Sequence, residues 1–204
     1  MTRDWAAWRQ AAVSHLAPTA RPRALAPDLR RPLDPAELAR RLASSGVDWV
    51  LVGSCVLVLH GARLEPGDLD VVPDRDPANL ARLARLLDSL GAVPAHVPGW
   101  EHTLTVAECR RWTPRTAAVT NLDHQFVTAH GLLDIVPLLT GAYESLVRGS
   151  VALDAWGTRV RAADAVAIAT DIATRTRAKD PARRAEAERI LRVVRPDADR
   201  MQRR

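Results

Sequence analysis

The sequence predicts an α+β fold: a mixed β-sheet flanked by helices, followed by a helical C-terminal tail. Three observations predict it. Short apolar runs typical of buried strands, such as Trp49-Val50-Leu51-Val52 and Leu132-Leu133-Asp134-Ile135-Val136, recur between segments of helical periodicity. Capping signals of the form Asp-Pro open helices at Asp34-Pro35, Asp76-Pro77 and Asp180-Pro181. The elements run helix, strand, turn, helix, strand, helix, strands and then helices, without the strict alternation of an all-parallel sheet.

Residues 4–16 read as a short amphipathic helix with Trp5, Trp8, Ala12 and Leu16 on one side. The tryptophans fit docking of that helix better than a base-stacking platform. Residues 17–33 hold four prolines and read as a linker. In Asp34-Pro35-Ala36-Glu37 the acid, proline and second acid match an N-cap, and the helix they open should reach Ser44, with Gly46 ending it. The strand 49–52 follows, then a tight turn at Gly53-Ser54 and a second helix from Cys55 to His60. Asp68 to Val72 is the next strand. A helix capped by Asp76 carries leucines at 80, 83, 86, 87 and 90 and ends at Gly91. A further strand is expected at 103–107. Residues 122–128 and 132–136 read as strands joined by a turn near His130-Gly131. A helix at 142–148, a hairpin from Val151 to Val160 turning near Gly157, and helices at 163–176 and 181–194 complete the chain. The domain plan is thus an N-terminal helix and linker (1–33), a core (34–141), and a C-terminal hairpin and helical region (142–204).

The 204 residues are 47% hydrophobic and 26% charged, the balance of a soluble globular chain. The net charge of +5 sits in the tail: residues 171–204 hold 11 Lys+Arg against 6 Asp+Glu, whereas 1–170 are neutral. A basic tail suits either a polyanionic partner or a solvated helix face. Arginine stands at every basic position except Lys179, which weakens arginine content as a nucleic-acid signal. Two cysteines, Cys55 and Cys109, make no disulfide framework. Cys55 reads as a small core residue, and a reducing compartment fits. The start, MTRDWAAWRQ, lacks a signal-peptide layout, and the longest apolar stretch, Val47 to Leu59, is too short for a membrane span. The expectation is a cytoplasmic protein with no membrane partner.

The chemistry concentrates between residues 53 and 70. A glycine–serine turn leaving a buried strand and entering a helix presents backbone N–H groups, and Ser54 adds a hydroxyl, a combination suited to phosphate. In Asp68-Leu69-Asp70, strand alternation puts both carboxylates on one face and Leu69 on the other. Carboxylates so placed suit Mg²⁺. Asp134 interrupts an apolar strand, and an acid there needs a partner or a metal. If that strand lies beside the one bearing Asp68 and Asp70, three carboxylates converge, enough for two metals and in-line attack on phosphorus. Asp76 reads as a helix cap and Asp74 as a loop residue. His60 reads as a packing or capping residue at the end of its helix. Arg63 fits either a phosphate contact or a surface arginine, and Lys179 either reaches a phosphate or stands there by chance. The histidines at 15, 60, 96, 102, 124 and 130 lack zinc-ligand spacing with the cysteines. No dinucleotide-binding glycine motif, P-loop or nucleophile elbow is present.

The segment VGSCVLVLHGARLEPGDLDVV, Val52 to Val72, resembles the signature of the DNA polymerase beta-like nucleotidyltransferases. Their pattern is a strand, Gly-Ser, a helix, a strand bearing Asp-x-Asp, and a third Asp on a later strand. The apolar helix ending in His60-Gly61, then Arg63, is similar to a bacterial branch that includes the abortive-infection, type IV toxin enzymes. Among these are the mycobacterial MenT-type toxins that modify transfer RNA. Arg177-Ala178-Lys179-Asp180 is similar to that branch's Arg-Pro-Lys-Asp element. Two positions depart from the pattern: Gly67 stands where Ser or Thr is common before the first Asp, and Ile172 where the branch has a lysine, with Arg175 nearby.

The resemblance implies a nucleotidyltransferase fold and transfer of a nucleoside monophosphate from an NTP to a hydroxyl, with release of pyrophosphate. It implies Mg²⁺, two ions, on Asp68, Asp70 and Asp134, with these three as catalytic residues. Gly53, Ser54, Arg63 and Lys179 are the expected nucleotide and phosphate contacts. The implied acceptor is RNA or tRNA, for a toxin partnered by an antitoxin protein. The alternatives are a small-molecule, antibiotic-type nucleotidyltransferase and a non-catalytic nucleotide-binding relative.

Overall fold

The computed structural model describes residues 32–95, 111–114, 122, 124–136, 143–174 and 181–194. The expected N-terminal helix, the strand at 103–107, Cys109, Arg175 and Lys179 lie outside the described residues.

The elements, in chain order, are α1 (Pro35–Ser44), β1 (Trp49–Val52), α2 (Ser54–Leu59), β2 (Asp68–Pro73), α3 (Pro77–Ser89), β3 (Val93–Pro94), β4 (Gln125–Thr128), β5 (Gly131–Ile135), α4 (Tyr143–Gly149), β6 (Val151–Ala155), β7 (Thr158–Ala162), α5 (Ala165–Thr174) and α6 (Pro181–Val194). The seven strands form one sheet in the order β3-β4-β5-β2-β1-β7-β6. It is mixed: β1 runs antiparallel to β2 and parallel to β7, while β2 runs parallel to β5. The expected α+β class is therefore observed, and the C-terminal hairpin β6–β7 extends the same sheet through the pairing of β7 with β1.

Local chemistry accounts for the boundaries. Asp34 caps α1 by accepting from the Glu37 N–H at 3.0 Å, with Pro35 in the first turn. Asp76 caps α3 by accepting from Ala78 and Asn79, and Asp74 accepts in turn from the Asp76 N–H. Both acids thus play the parts expected of them. The Trp156-Gly157 turn, both residues at positive φ, closes the β6–β7 hairpin.

The core lies on both faces of the central strands. Val50, Leu51 and Val52 of β1 and Leu69, Val71 and Val72 of β2 are fully buried. Helix α2 packs on β1, β2, α5 and α6, and α4 rests on β1. Asn79 on α3 is a buried polar clamp. Its side-chain amide accepts from the Asp48 N–H at 2.7 Å and donates to the carbonyls of Asp48 and Asp74, each at 2.9 Å. It therefore ties the start of β1 and the end of β2 to one helix, which sets the register of the two strands that carry the site.

Candidate active site

At the other end of the β1–β2 pair, β1 runs into Gly53 and β2 begins at Asp68. The parallel pairing of β2 with β5 puts Asp70 directly beside Asp134. Asp68 and Asp70 share a face of β2, Leu69 points into the core, and Leu133 and Ile135 on β5 do the same. Consequently one ligand oxygen from each of Asp68, Asp70 and Asp134 lies within 4.8 Å of the other two. Asp68 is almost fully buried, and Asp70 and Asp134 are half-buried.

Like charges this close repel. At 4.8 Å a pair of unit charges costs about 3–4 kcal/mol at an effective dielectric constant of about 20. A divalent cation among the three would reverse the sign of that energy, and an all-oxygen donor set suits Mg²⁺. The residues present therefore fit the metal that the sequence motif implies.

Gly53 adopts φ 71°, ψ −157°, a region open in practice only to glycine. A Cβ there would land on the carboxylate of Asp70, 2.7 Å from its Cγ. Glycine thus serves the site in a way the motif does not reveal: it makes room for the Asp70 side chain. Next to it, Ser54 opens α2, is almost fully buried, and its hydroxyl has no hydrogen-bond partner among the described residues. A buried hydroxyl without a partner is unusual in a folded protein and calls for a ligand or a bound water. Behind this turn, Cys55 is fully buried with its thiol 3.6 Å from the Asp68 carbonyl oxygen. Burial, and then the charges of Asp70 and Asp68, push that thiol far above its ordinary value, and Cys55 is the small core residue expected.

The structure adds two features that sequence reasoning missed. The side-chain amide of Gln125 donates to Asp68 Oδ2 at 2.7 Å. Gln125 is the cross-strand partner of Asp134, so it stands on the same sheet face as the three acids. A signal for it existed: a tight turn at residues 129–130 pairs Gln125 with Asp134 by counting back along the hairpin. The second feature is a clamp from α6. Glu186 accepts from the Arg63 N–H at 2.6 Å, and Arg189 binds both Glu186 and the Gly61 carbonyl. The hydrogen bond from Arg189, then that from the Arg63 N–H, holds the Glu186 carboxyl below its ordinary value.

The sequence-predicted residues therefore fall into three groups. Asp68, Asp70 and Asp134 come together, with Gly53 and Ser54 at the same end of the sheet. Arg63 is exposed on the loop before β2 and is held there through its backbone by α6. Lys179 lies outside the described residues. His60 ends α2 as its C-cap, in the capping role expected of it.

No family model matches the sequence, and no curated protein does. Among solved structures the chain is similar to the antibiotic-resistance factor ANT(2'')-Ia, at 13% identity and a TM-score of 0.42, over 82% of this chain and 95% of that one. It is also similar to an antigenic nucleotidyltransferase-like protein from Paracoccidioides brasiliensis, at 16% identity and a TM-score of 0.43, over 79% of this chain and 73% of that one. Likenesses at this level do not assign the chain to a family. None of the helices among the described residues is long and apolar enough to cross a membrane.

Proposed function

We propose that this chain is a nucleotidyltransferase that moves a nucleoside monophosphate from an NTP to an acceptor hydroxyl. The observation that carries the proposal is the meeting of Asp68, Asp70 and Asp134 beside the Gly53-Ser54 turn. In the reaction the acceptor oxygen bonds to the α-phosphorus, the bond from that phosphorus to the bridging oxygen breaks, and pyrophosphate leaves. The acceptor's proton passes to a base, a role assigned here to Asp134. Mg²⁺ held by the three carboxylates would neutralise charge developing on the phosphate oxygens. The rest of catalysis is positioning, as in other phosphoryl transfers. Ser54 is assigned as a donor to the β- or γ-phosphate, a role supported by its buried hydroxyl at the start of α2. Arg63 and Lys179 are the cations assigned to the triphosphate.

The acceptor assigned is an RNA hydroxyl, in a toxin restrained by an antitoxin protein. Support comes from the motif resemblance and from the positive charge gathered in residues 171–204. The test is incubation of the full chain with labelled NTPs, Mg²⁺ and total RNA. Label should enter RNA, and an Asp68→Ala variant should lose at least about a hundredfold of the rate, the scale of removing one electrostatic stabiliser. Label entering only a small aminated sugar would replace the RNA assignment. NTP binding without pyrophosphate release would overturn the enzyme.

A further inference from the structure

The Gln125 side chain directs its amide to one of the three acids. It is half-buried at the start of β4, yet its amide spans to Asp68 Oδ2 at 2.7 Å, reaching past β5, the strand that lies between β4 and β2. Asp68 is the most buried of the three acids, so it has the least water to orient its carboxylate. A donor held at Oδ2 restricts rotation of the Asp68 carboxylate about its Cβ–Cγ bond.

The neutrality of that donor matters. A guanidinium at the same place would bind Asp68 more strongly, but it would cancel the charge that attracts the metal. At position 125, within reach of Asp68, the chain carries an uncharged amide. Buried carboxylates that ligate metals are themselves commonly hydrogen-bonded, and loss of that partner weakens metal binding.

We propose that Gln125 is a positioning residue for the metal centre: its amide orients the Asp68 carboxylate for a divalent cation without neutralising it. The inference rests on the reading of Asp68, Asp70 and Asp134 as metal ligands. The test is Mn²⁺ titration of the full chain, followed by the paramagnetic resonance signal of free Mn²⁺, alongside thermal melting of the metal-free protein. Gln125→Met keeps the length and removes the donor, while Gln125→Asn keeps the donor and shortens its reach. Both should bind Mn²⁺ at least about tenfold more weakly than the unaltered chain. Gln125→Arg should bind it most weakly of all while its metal-free form melts no lower, a pattern that loss of packing would not produce. Mn²⁺ affinity within about twofold of the unaltered chain in folded Met and Asn variants overturns the proposal, given the tenfold expected. If the Met variant does not fold, the Asn variant decides. If the unaltered chain binds no Mn²⁺, the metal-ligand reading fails, and this proposal falls with it.

Discussion

Replacing Gly53 by alanine tests how tightly the turn and the acids are interlocked. The substitution meets two separate obstacles. The backbone at φ 71°, ψ −157° strains any residue with a Cβ by about 1–3 kcal/mol. The new methyl also falls on Asp70, 2.7 Å from its Cγ and 2.9 Å from its Cβ, and overpacking of this kind costs about 1–3 kcal/mol. Together the loss should be about 2–6 kcal/mol in urea unfolding of the metal-free protein, and Mn²⁺ affinity should fall because the Asp70 carboxylate is displaced. A double-mutant cycle separates the two terms. In an Asp70→Gly background the clash partner is gone, so Gly53→Ala should cost only the backbone strain. The coupling energy should then be about 1–3 kcal/mol, the part assigned to the clash. A cost in the original background equal to that in the Asp70→Gly background would refute the interlock. So would a Gly53→Ala protein with unaltered Mn²⁺ binding.

Two further outcomes follow from groups away from the acids. Asn79→Leu removes three hydrogen bonds that join Asp48 and Asp74 to α3 in a fully buried position. It leaves backbone groups unsatisfied, so it should destabilise the protein by about 2–4 kcal/mol in urea unfolding, against under about 1 kcal/mol for an exposed substitution such as Ser44→Ala. Hydrogen bonds from Arg40 and then Arg41 lower the Glu37 carboxyl to about 2. Because the folded value lies below the unfolded one, the stability it adds is present above about pH 4.5 and fades as pH falls toward about 2. Acid titration of the unfolding free energy should therefore be shallower in Glu37→Gln within that window, and an unchanged slope would contradict the assignment.

Much of this fold is written locally. The caps at Asp34 and Asp76, the apolar run of β1 and the hairpin turn at Gly157 are signals carried within a few residues, and each marks an element boundary. Asp134 was legible as well, because a carboxylate inside Leu132 to Val136 has no local explanation. What could not be read is pairing across distance. That β5 lies beside β2 with Asp134 against Asp70 is a matter of tertiary register. The Glu186–Arg189 pair looks in sequence like an ordinary surface ion pair of little consequence, since the Gly61 carbonyl that gives it purpose is remote in the chain. Gln125 escaped for a related reason: a polar residue within the expected strand 122–128 reads as one facing water until its reach across β5 is known.

The placement of the acids on strands rather than loops has a physical consequence. Loop carboxylates at this spacing could swing apart and relieve their repulsion in water. Here Asp68 and Asp70 leave the backbone of β2, and Asp134 that of β5, and the residues alternating with them, Leu69, Val71, Leu133 and Ile135, are all but fully buried in the core. Separating the carboxylate-bearing positions would mean breaking the β2–β5 ladder and exposing those side chains, at about 1.5–3 kcal/mol for each one brought to solvent. That exceeds the few kcal/mol of pairwise repulsion to be relieved. The sheet therefore holds the three carboxylate-bearing positions together, a geometry that suits a divalent cation. Rigid strands thus keep an all-oxygen donor set in place for a divalent cation, as the proposed phosphoryl transfer needs.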